Sequence, residues 1–181
     1  MLDREETQKV IDRFKTHVVS VSKRNLTKGG DYGSYNNTKS LYNSIKGVSK
    51  VNPNSISLYF EMLDYGLFKD KGVRGKTSSS KAPNSPYKFG SGKGKKGGLT
   101  NGIQKWVKQK RFQFRKKDGK FMSYESTALL ITRSIYHKGT KPSLFFTKPF
   151  EKAYKNLPNE LIQAYGLDIT KIFIDTIDSR K

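Results

Sequence analysis

Between Lys71 and Lys120 the chain sets sixteen Lys and Arg residues against one acid, Asp118. Like charge at that density cannot fill a core, because a buried unpaired ammonium loses far more hydration than its aliphatic stem gains. The block must lie on a surface and calls for a polyanion or an acidic partner. The whole chain of 181 residues carries +21, so the residues outside the block contribute only about +6.

Within the block, residues 72–98 are rich in Gly, Ser and Lys and poor in apolar side chains. Ordering a backbone costs about 1–2 kcal/mol per residue, and little apolar surface is available here to offset it. The expectation is a long, mobile basic loop over 73–98 inside one domain spanning 1–181. Leu99, Ile103, Trp106 and Val107 then fall on one face of a helix starting near Thr100. Phe112 and Phe114 precede Asp118-Gly119, and Phe121 follows it, a hairpin signal. Ser123 is placed to cap a helix carrying Glu125, Leu129, Leu130, Ile131, Ile135 and Tyr136, closed by Gly139. Residues 99–138 therefore read as a helix–hairpin–helix insertion.

Outside the block, Val10, Ile11, Phe14, His17, Val18 and Val21 share a face of a helix over 3–21, with Asp3 and Glu6 resembling a capping box. Asn25–Asn37 reads as a loop. A short helix is expected over 38–46, with Leu41 and Ile45 four apart and Gly47 as its stop. Ile56, Leu58, Phe60 and Met62 alternate with Ser57, Tyr59 and Glu61, which predicts a strand over Ser55–Leu63 with one face buried. Asn52-Pro53-Asn54 allows Ser49–Val51 to pair with it as a hairpin. Ser143–Thr147 reads as extended, Pro149 as the start of a short helix, and 159–165 and 168–177 as two further helices. The fold class is α+β, a small antiparallel sheet packed with helices. With 34% hydrophobic and 12% aromatic residues a modest core is available.

Catalytic constellations are thin. His17 reads as a partly buried structural residue, and His137 as a cation at a helix C-terminus. There is no cysteine, which removes disulfides and thiolate metal sites and fits a reducing cytoplasm. Glu61, Asp64 and Asp70 come nearest to a carboxylate cluster for a metal-dependent nuclease, but Glu61 falls on the wet face of its strand. Gly92-Lys93-Gly94-Lys95-Lys96-Gly97 matches GxGxxG without a preceding strand, and Gly75-Lys76-Thr77 matches only the end of a phosphate loop. No cofactor and no metal are expected. The polar, acidic start Met1-Leu2-Asp3-Arg4-Glu5-Glu6 is unlike a secretory signal, and no apolar run approaches the roughly 20 residues that cross a bilayer, so a soluble protein without a membrane partner is expected.

The basic block carries the strongest physical signal. Lys88, Lys93, Lys95, Lys96, Lys105, Lys108, Lys110, Arg111, Arg115, Lys116 and Lys117 are candidates for contact with DNA or an acidic partner. The interleaved Trp106, Phe112 and Phe114 can stack on bases if exposed. Alternatively all three are core and the charges a solvated rim. The spacing of Trp106 with Ile103 and Val107 favours core for Trp106. Sequence-independent electrostatic contact is expected, without base readout.

Three patches in order resemble one family. Leu41-Tyr42-Asn43-Ser44-Ile45 is similar to its helix-ending element. The strand running into Asp64-Tyr65-Gly66-Leu67-Phe68-Lys69-Asp70-Lys71-Gly72 resembles its strand and turn. Gly139-Thr140-Lys141-Pro142-Ser143-Leu144-Phe145-Phe146-Thr147-Lys148-Pro149-Phe150 resembles its segment leading into a C-terminal helix. The family is the head–tail joining, neck or tail-completion proteins of tailed bacteriophages. The chain departs from it over 73–138, where the family has only a loop. The resemblance implies a structural, non-enzymatic virion protein, assembled in the host cytoplasm. It would form a homo-oligomeric ring at the neck, between head connector and tail, with phage connector or adaptor and tail proteins as partners and genomic DNA passing through. Beside it, Leu144, Phe145 and Phe146 are three consecutive large apolar residues, too many for one buried face. With Tyr65, Phe68 and Phe150 they are candidates for packing against another subunit. The alternatives are a free basic nucleic-acid-binding protein and, third, the nuclease.

Overall fold

A computed structural model describes residues 5–29, 38–52, 55–92 and 97–178. It is an α+β fold in which a small antiparallel sheet packs against helices. The chain divides into two compact units. Unit 1 comprises residues 1–66 and 144–181, and unit 2 residues 67–143. These limits lie close to those of the expected insertion, 73–138.

Unit 1 is organised by α1 (Glu5–Lys28), which buries Val10, Ile11, Phe14, Val18 and Leu26 along one face. Asp3 lies outside the described residues. The cap that is visible comes from far along the chain. Asp168 Oδ1 accepts from the Glu6 N–H at 2.9 Å, and Asp168 Oδ2 accepts from the Thr7 N–H at 2.9 Å and the Thr7 hydroxyl at 2.7 Å. A carboxylate there satisfies N–H groups that the first turn leaves free and meets the positive end of the helix dipole. The helix runs past the expected end at Val21, because Ser22 and Leu26 supply further fully buried positions within the next turn and a half.

Helix α2 (Ser40–Ser44) ends before Ile45, and Gly47 belongs to the first strand rather than to a helix stop. Strand β1 (Lys46–Asn52) pairs antiparallel with β2 (Ser55–Glu61), with Val48 opposite Tyr59 and Gly47 opposite Phe60. Ile56, Leu58 and Phe60 are half-buried and Ser57, Tyr59 and Glu61 exposed, as the alternation predicts. Phe60 turns its ring into a cluster with Phe14 (6.3 Å), Phe146 (5.3 Å) and Phe150 (6.0 Å), all edge-on. These rings pack with Val10, Val18, Leu157 and Ala164. A second cluster joins Leu26, Leu41, Ile45 and Phe145, with Met62 and Phe146 against it.

Residues 143–147 are not a strand. Leu144 takes a left-handed turn (φ 50°), which drives Phe145 into the core and leads into α6 (Thr147–Tyr154). Where two helices were expected there is one, α7 (Leu157–Asp178), which continues through Gly166. Both α6 and α7 pack on α1.

Unit 2 begins within α3 (Tyr65–Lys71). Strand β3 (Val73–Arg74) pairs antiparallel with β4 (Gly139–Thr140), and α4 (Gly98–Lys110) packs on α5 (Tyr124–Lys138). The described part of 73–98 is not a free loop. Arg74 bridges to Lys88, Lys76 N–H donates to the Tyr136 carbonyl at 2.8 Å, and Ala82 and Ser85 are buried. The Ser85 hydroxyl donates to the Gly72 carbonyl at 2.7 Å and accepts from the Tyr87 N–H at 3.1 Å. Backbone and hydroxyl hydrogen bonds here replace the apolar burial that the sequence lacks.

Candidate functional site

Glu61 and Asp64 are exposed in unit 1, whereas Asp70 is buried in unit 2. Among the described residues no group of three His, Cys, Asp or Glu is arranged to hold a metal. His17 is exposed on α1, not half-buried, because it lies at the edge of the buried face, which is centred on Ile11, Phe14, Val18 and Ser22. His137 sits in the last turn of α5, as expected. Its ring meets Tyr136 edge-on at 5.4 Å, and its carbonyl accepts from the Thr77 hydroxyl at 3.1 Å.

The phosphate-loop remnant has a different role. A Cβ on Gly75 would collide with the His137 carbonyl, and one on Gly139 (φ 78°) with the Val73 carbonyl. These glycines let β3 lie against the end of α5, so Gly75 is fixed by close backbone approach rather than by a ligand. Of the GxGxxG match, Gly92 is open to solvent and Gly97 (φ 76°) caps α4, while 93–96 lie outside the described residues.

The cationic candidates form a surface. Lys88, Lys105, Lys108, Lys110, Arg111, Arg115, Lys116 and Lys117 are all exposed in unit 2. Lys93, Lys95 and Lys96 lie outside the described residues. Arg111 ends α4 in the left-handed conformation (φ 50°), and the Phe112 N–H returns to the Val107 carbonyl at 3.0 Å. That reversal brings the Phe112 ring to 6.0 Å from Trp106 and 5.2 Å from Phe114. Val107, not Trp106, is the buried residue of α4; Trp106 is 38% exposed. The Asp118-Gly119 turn forms as the sequence predicts. Lys116 N–H donates to the Lys120 carbonyl at 2.8 Å, and the Arg115 guanidinium lies 4.7 Å over the Phe121 ring. The Ser123 hydroxyl caps α5 by accepting from the Ser126 N–H at 3.1 Å. Leu129 and Leu130 are exposed, since α5 turns Thr127 and Ala128 inward. Lys108 faces Glu125 at 3.9 Å. The result is a patch of aromatic rings rimmed by unburied cations.

Unit 1 has a smaller counterpart. A groove of about 620 Å³ is lined by Lys15, Lys23, Arg24 and Tyr42, among others, with the Lys23 ammonium 5.2 Å over the Tyr42 ring. Lys69, in α3, is partly buried, and burial pushes its ammonium below the usual lysine range.

The packing candidates divide. Tyr65 and Phe68 are exposed, Phe68 edge-on to Tyr87 at 4.6 Å. Phe145 is 1% exposed, and Phe146 and Phe150 belong to the ring cluster, so these three are occupied inside unit 1. Leu144 is half-buried. The surface that sequence reasoning missed is on α7. Its inner face is Leu157, Leu161, Ala164 and Asp168, and its outer face is also apolar: Ile162 is 71% and Phe173 66% exposed, with Tyr165, Leu167 and Ile174 exposed beside them. The sequence shows Ile162, Leu167, Phe173 and Ile174 lying off the stripe of Leu157, Leu161 and Ala164, but spacing alone does not say that they stay in water.

No helix among the described residues is long and apolar enough to cross a membrane. Comparison with known families, with curated proteins and with solved structures finds no match.

Proposed function

We propose that this chain is a non-catalytic structural subunit of a tailed phage particle, a ring-forming neck (head–tail connector) or tail-completion protein joining the head connector to the tail. The observation that carries this reading is the apolar outer face of α7. Water-exposed Ile162, Phe173, Leu167 and Ile174 on one helix are the mark of a surface completed by another protein. The family resemblance adds support, because residues from its three separate patches meet in one place. Leu41 and Ile45, Met62, and Phe145 and Phe146 all belong to one core cluster. In this reading unit 2 faces acidic neighbours or the packaged genome, and the protein acts in the neck or tail region of the virion. Cryo-electron microscopy of a tailed particle carrying this chain tests it. Ring density for the subunit at the head–tail junction is expected, and its absence from the particle would refute the reading.

A second reading, a free nucleic-acid-binding protein, is favoured by the cation-rimmed Trp106, Phe112 and Phe114 patch. It requires a monomer that holds DNA with an affinity falling steeply as salt rises. A subunit that binds DNA only as an oligomer excludes it.

A further inference from the structure

Four aromatic rings of unit 2, those of Trp106, Phe112, Phe114 and Phe121, stand in water, 37–59% exposed. Their backbone is fixed. The left-handed turn at Arg111 folds Phe112 back over Trp106, and the Phe114 N–H donates to the hydroxyl of fully buried Thr127 at 3.3 Å. The Gln113 side-chain amide donates to the Met122 carbonyl at 2.7 Å. Each ring has an exposed cation as its chain neighbour: Lys105, Arg111, Arg115 and Lys120 in turn. Over 98–121 eight Lys and Arg stand against one acid, Asp118. That carboxylate is taken up by its own turn, where Oδ1 accepts from the Lys120 N–H at 3.1 Å.

We propose that this surface of unit 2 binds single-stranded nucleic acid, its rings stacking on bases while the neighbouring cations follow the phosphates. The proposal rests on unit 2 being the polyanion-facing part of the molecule and names the ligand; it holds for a monomer and for a ring subunit alike. The interleaving of rings and cations selects the partner. At a protein–protein contact the apolar centre is dry and charged residues are kept to its rim, because taking a cation out of water is costly. Here an acidic protein that covered the rings would bury the cations beside them. A nucleotide presents both groups at every step, a π-face for the ring and a phosphate that stays hydrated next to it. An unpaired strand is required, since a duplex keeps its base faces stacked inside and offers only phosphates and groove edges. Sequence preference is slight, as every base has a face to stack.

The chain's single tryptophan makes the test direct. Oligothymidylate of about 20 nucleotides, its duplex with oligodeoxyadenylate, and poly-glutamate are titrated into the full chain at physiological salt, with Trp106 emission as the readout. Strong quenching by the single strand is expected, at an affinity at least about 10-fold tighter than for the duplex. Phe112→Ala and Phe114→Ala should each weaken single-strand binding by about 10-fold, the scale of one lost stacking partner, and leave duplex affinity and its salt dependence unchanged. Circular dichroism checks that both variants fold, and quenching in the parent needs no variant. Tight binding without quenching, or equal affinity for strand and duplex, would overturn stacking while leaving unit 2 a phosphate-facing surface. Poly-glutamate that quenches as well as the strand would overturn the proposal in favour of an acidic protein partner. No binding of any polyanion would overturn both the proposal and the reading of unit 2 on which it rests.

Discussion

Asp168 offers the sharpest perturbation of the fold. Its side chain is 1% exposed, and its two oxygens accept three hydrogen bonds from the first turn of α1, at 2.7–2.9 Å. Asp168→Ala strands the Glu6 and Thr7 N–H groups and the Thr7 hydroxyl. Hydrogen bonds to a charged group are worth about 1.5–3 kcal/mol each, and loss of a helix cap costs about 0.5–2 kcal/mol. The bonds share one carboxylate and do not add, so a net loss of about 2–4 kcal/mol is expected. At about 4 °C or more per kcal/mol for a unit of this size, the midpoint in a circular-dichroism melt should fall by about 10 °C or more. Burial raises the Asp168 carboxyl, but hydrogen bonds from the Thr7 side chain and the Thr7 and Glu6 backbone, with the Lys171 charge, outweigh it and hold the group below its usual range. A depressed carboxyl stabilises the folded state fully above its unfolded value of about 3.9, and that contribution is lost as pH falls through the folded value. Asp168→Asn should therefore flatten the loss of stability below about pH 4 relative to the parent, in addition to lowering the midpoint at pH 7. A variant that melts with the parent at pH 7 and shows the same acid slope would refute the trans-cap.

Three further outcomes are expected. Phe145→Ala should cost about 3–5 kcal/mol in urea unfolding, because the ring fills the centre of the Leu26–Leu41–Ile45 cluster; a cost below about 1 kcal/mol would return Phe145 to the surface. Gly75→Ala should destabilise unit 2 by well over about 1 kcal/mol, since the methyl meets the His137 carbonyl, and hydrogen exchange at Lys76 and Ser78 should accelerate. Limited trypsin digestion should cut slowly after Lys76 and Lys81, which lie in a hydrogen-bonded segment around buried Ala82 and Ser85, and rapid cleavage there would restore the mobile-loop expectation.

What could be read from the sequence was what repeats locally. The two-residue alternation over Ser55–Glu61 fixes which face of β2 is wet, and Asp118-Gly119 and Ser123 mark a turn and a cap by chemistry confined to a few residues. What escaped depends on distant partners. Gly166 is a poor helix residue and falls between the two helices expected over 159–165 and 168–177. Packing of Leu161 and Ala164 on one side of it, and the tie from Asp168 to α1 on the other, holds one helix through it. The scarcity of apolar residues over 73–98 predicts a mobile loop, yet in its described stretch 73–92 Ser85 and the backbone of Arg74 and Lys76 are secured by hydrogen bonds that no hydrophobic pattern announces. Trp106 and Val107 sit on the same stripe by spacing, and only the left-handed turn at Arg111 decides that Phe112 folds back over Trp106 while Val107 goes inside. Of the candidate surface, the cations were legible because charge must be solvated. The apolar outer face of α7 was not, because periodicity alone does not separate a buried helix from one waiting for a partner.

Self-association is the claim on which the rest depends, and native mass spectrometry over a concentration series at physiological ionic strength tests it most directly. One closed oligomer of fixed subunit number, replacing monomer as concentration rises and lost in Phe173→Asp, is the expected result. A chain that remains monomeric throughout, with α7 still open to water, would contradict it.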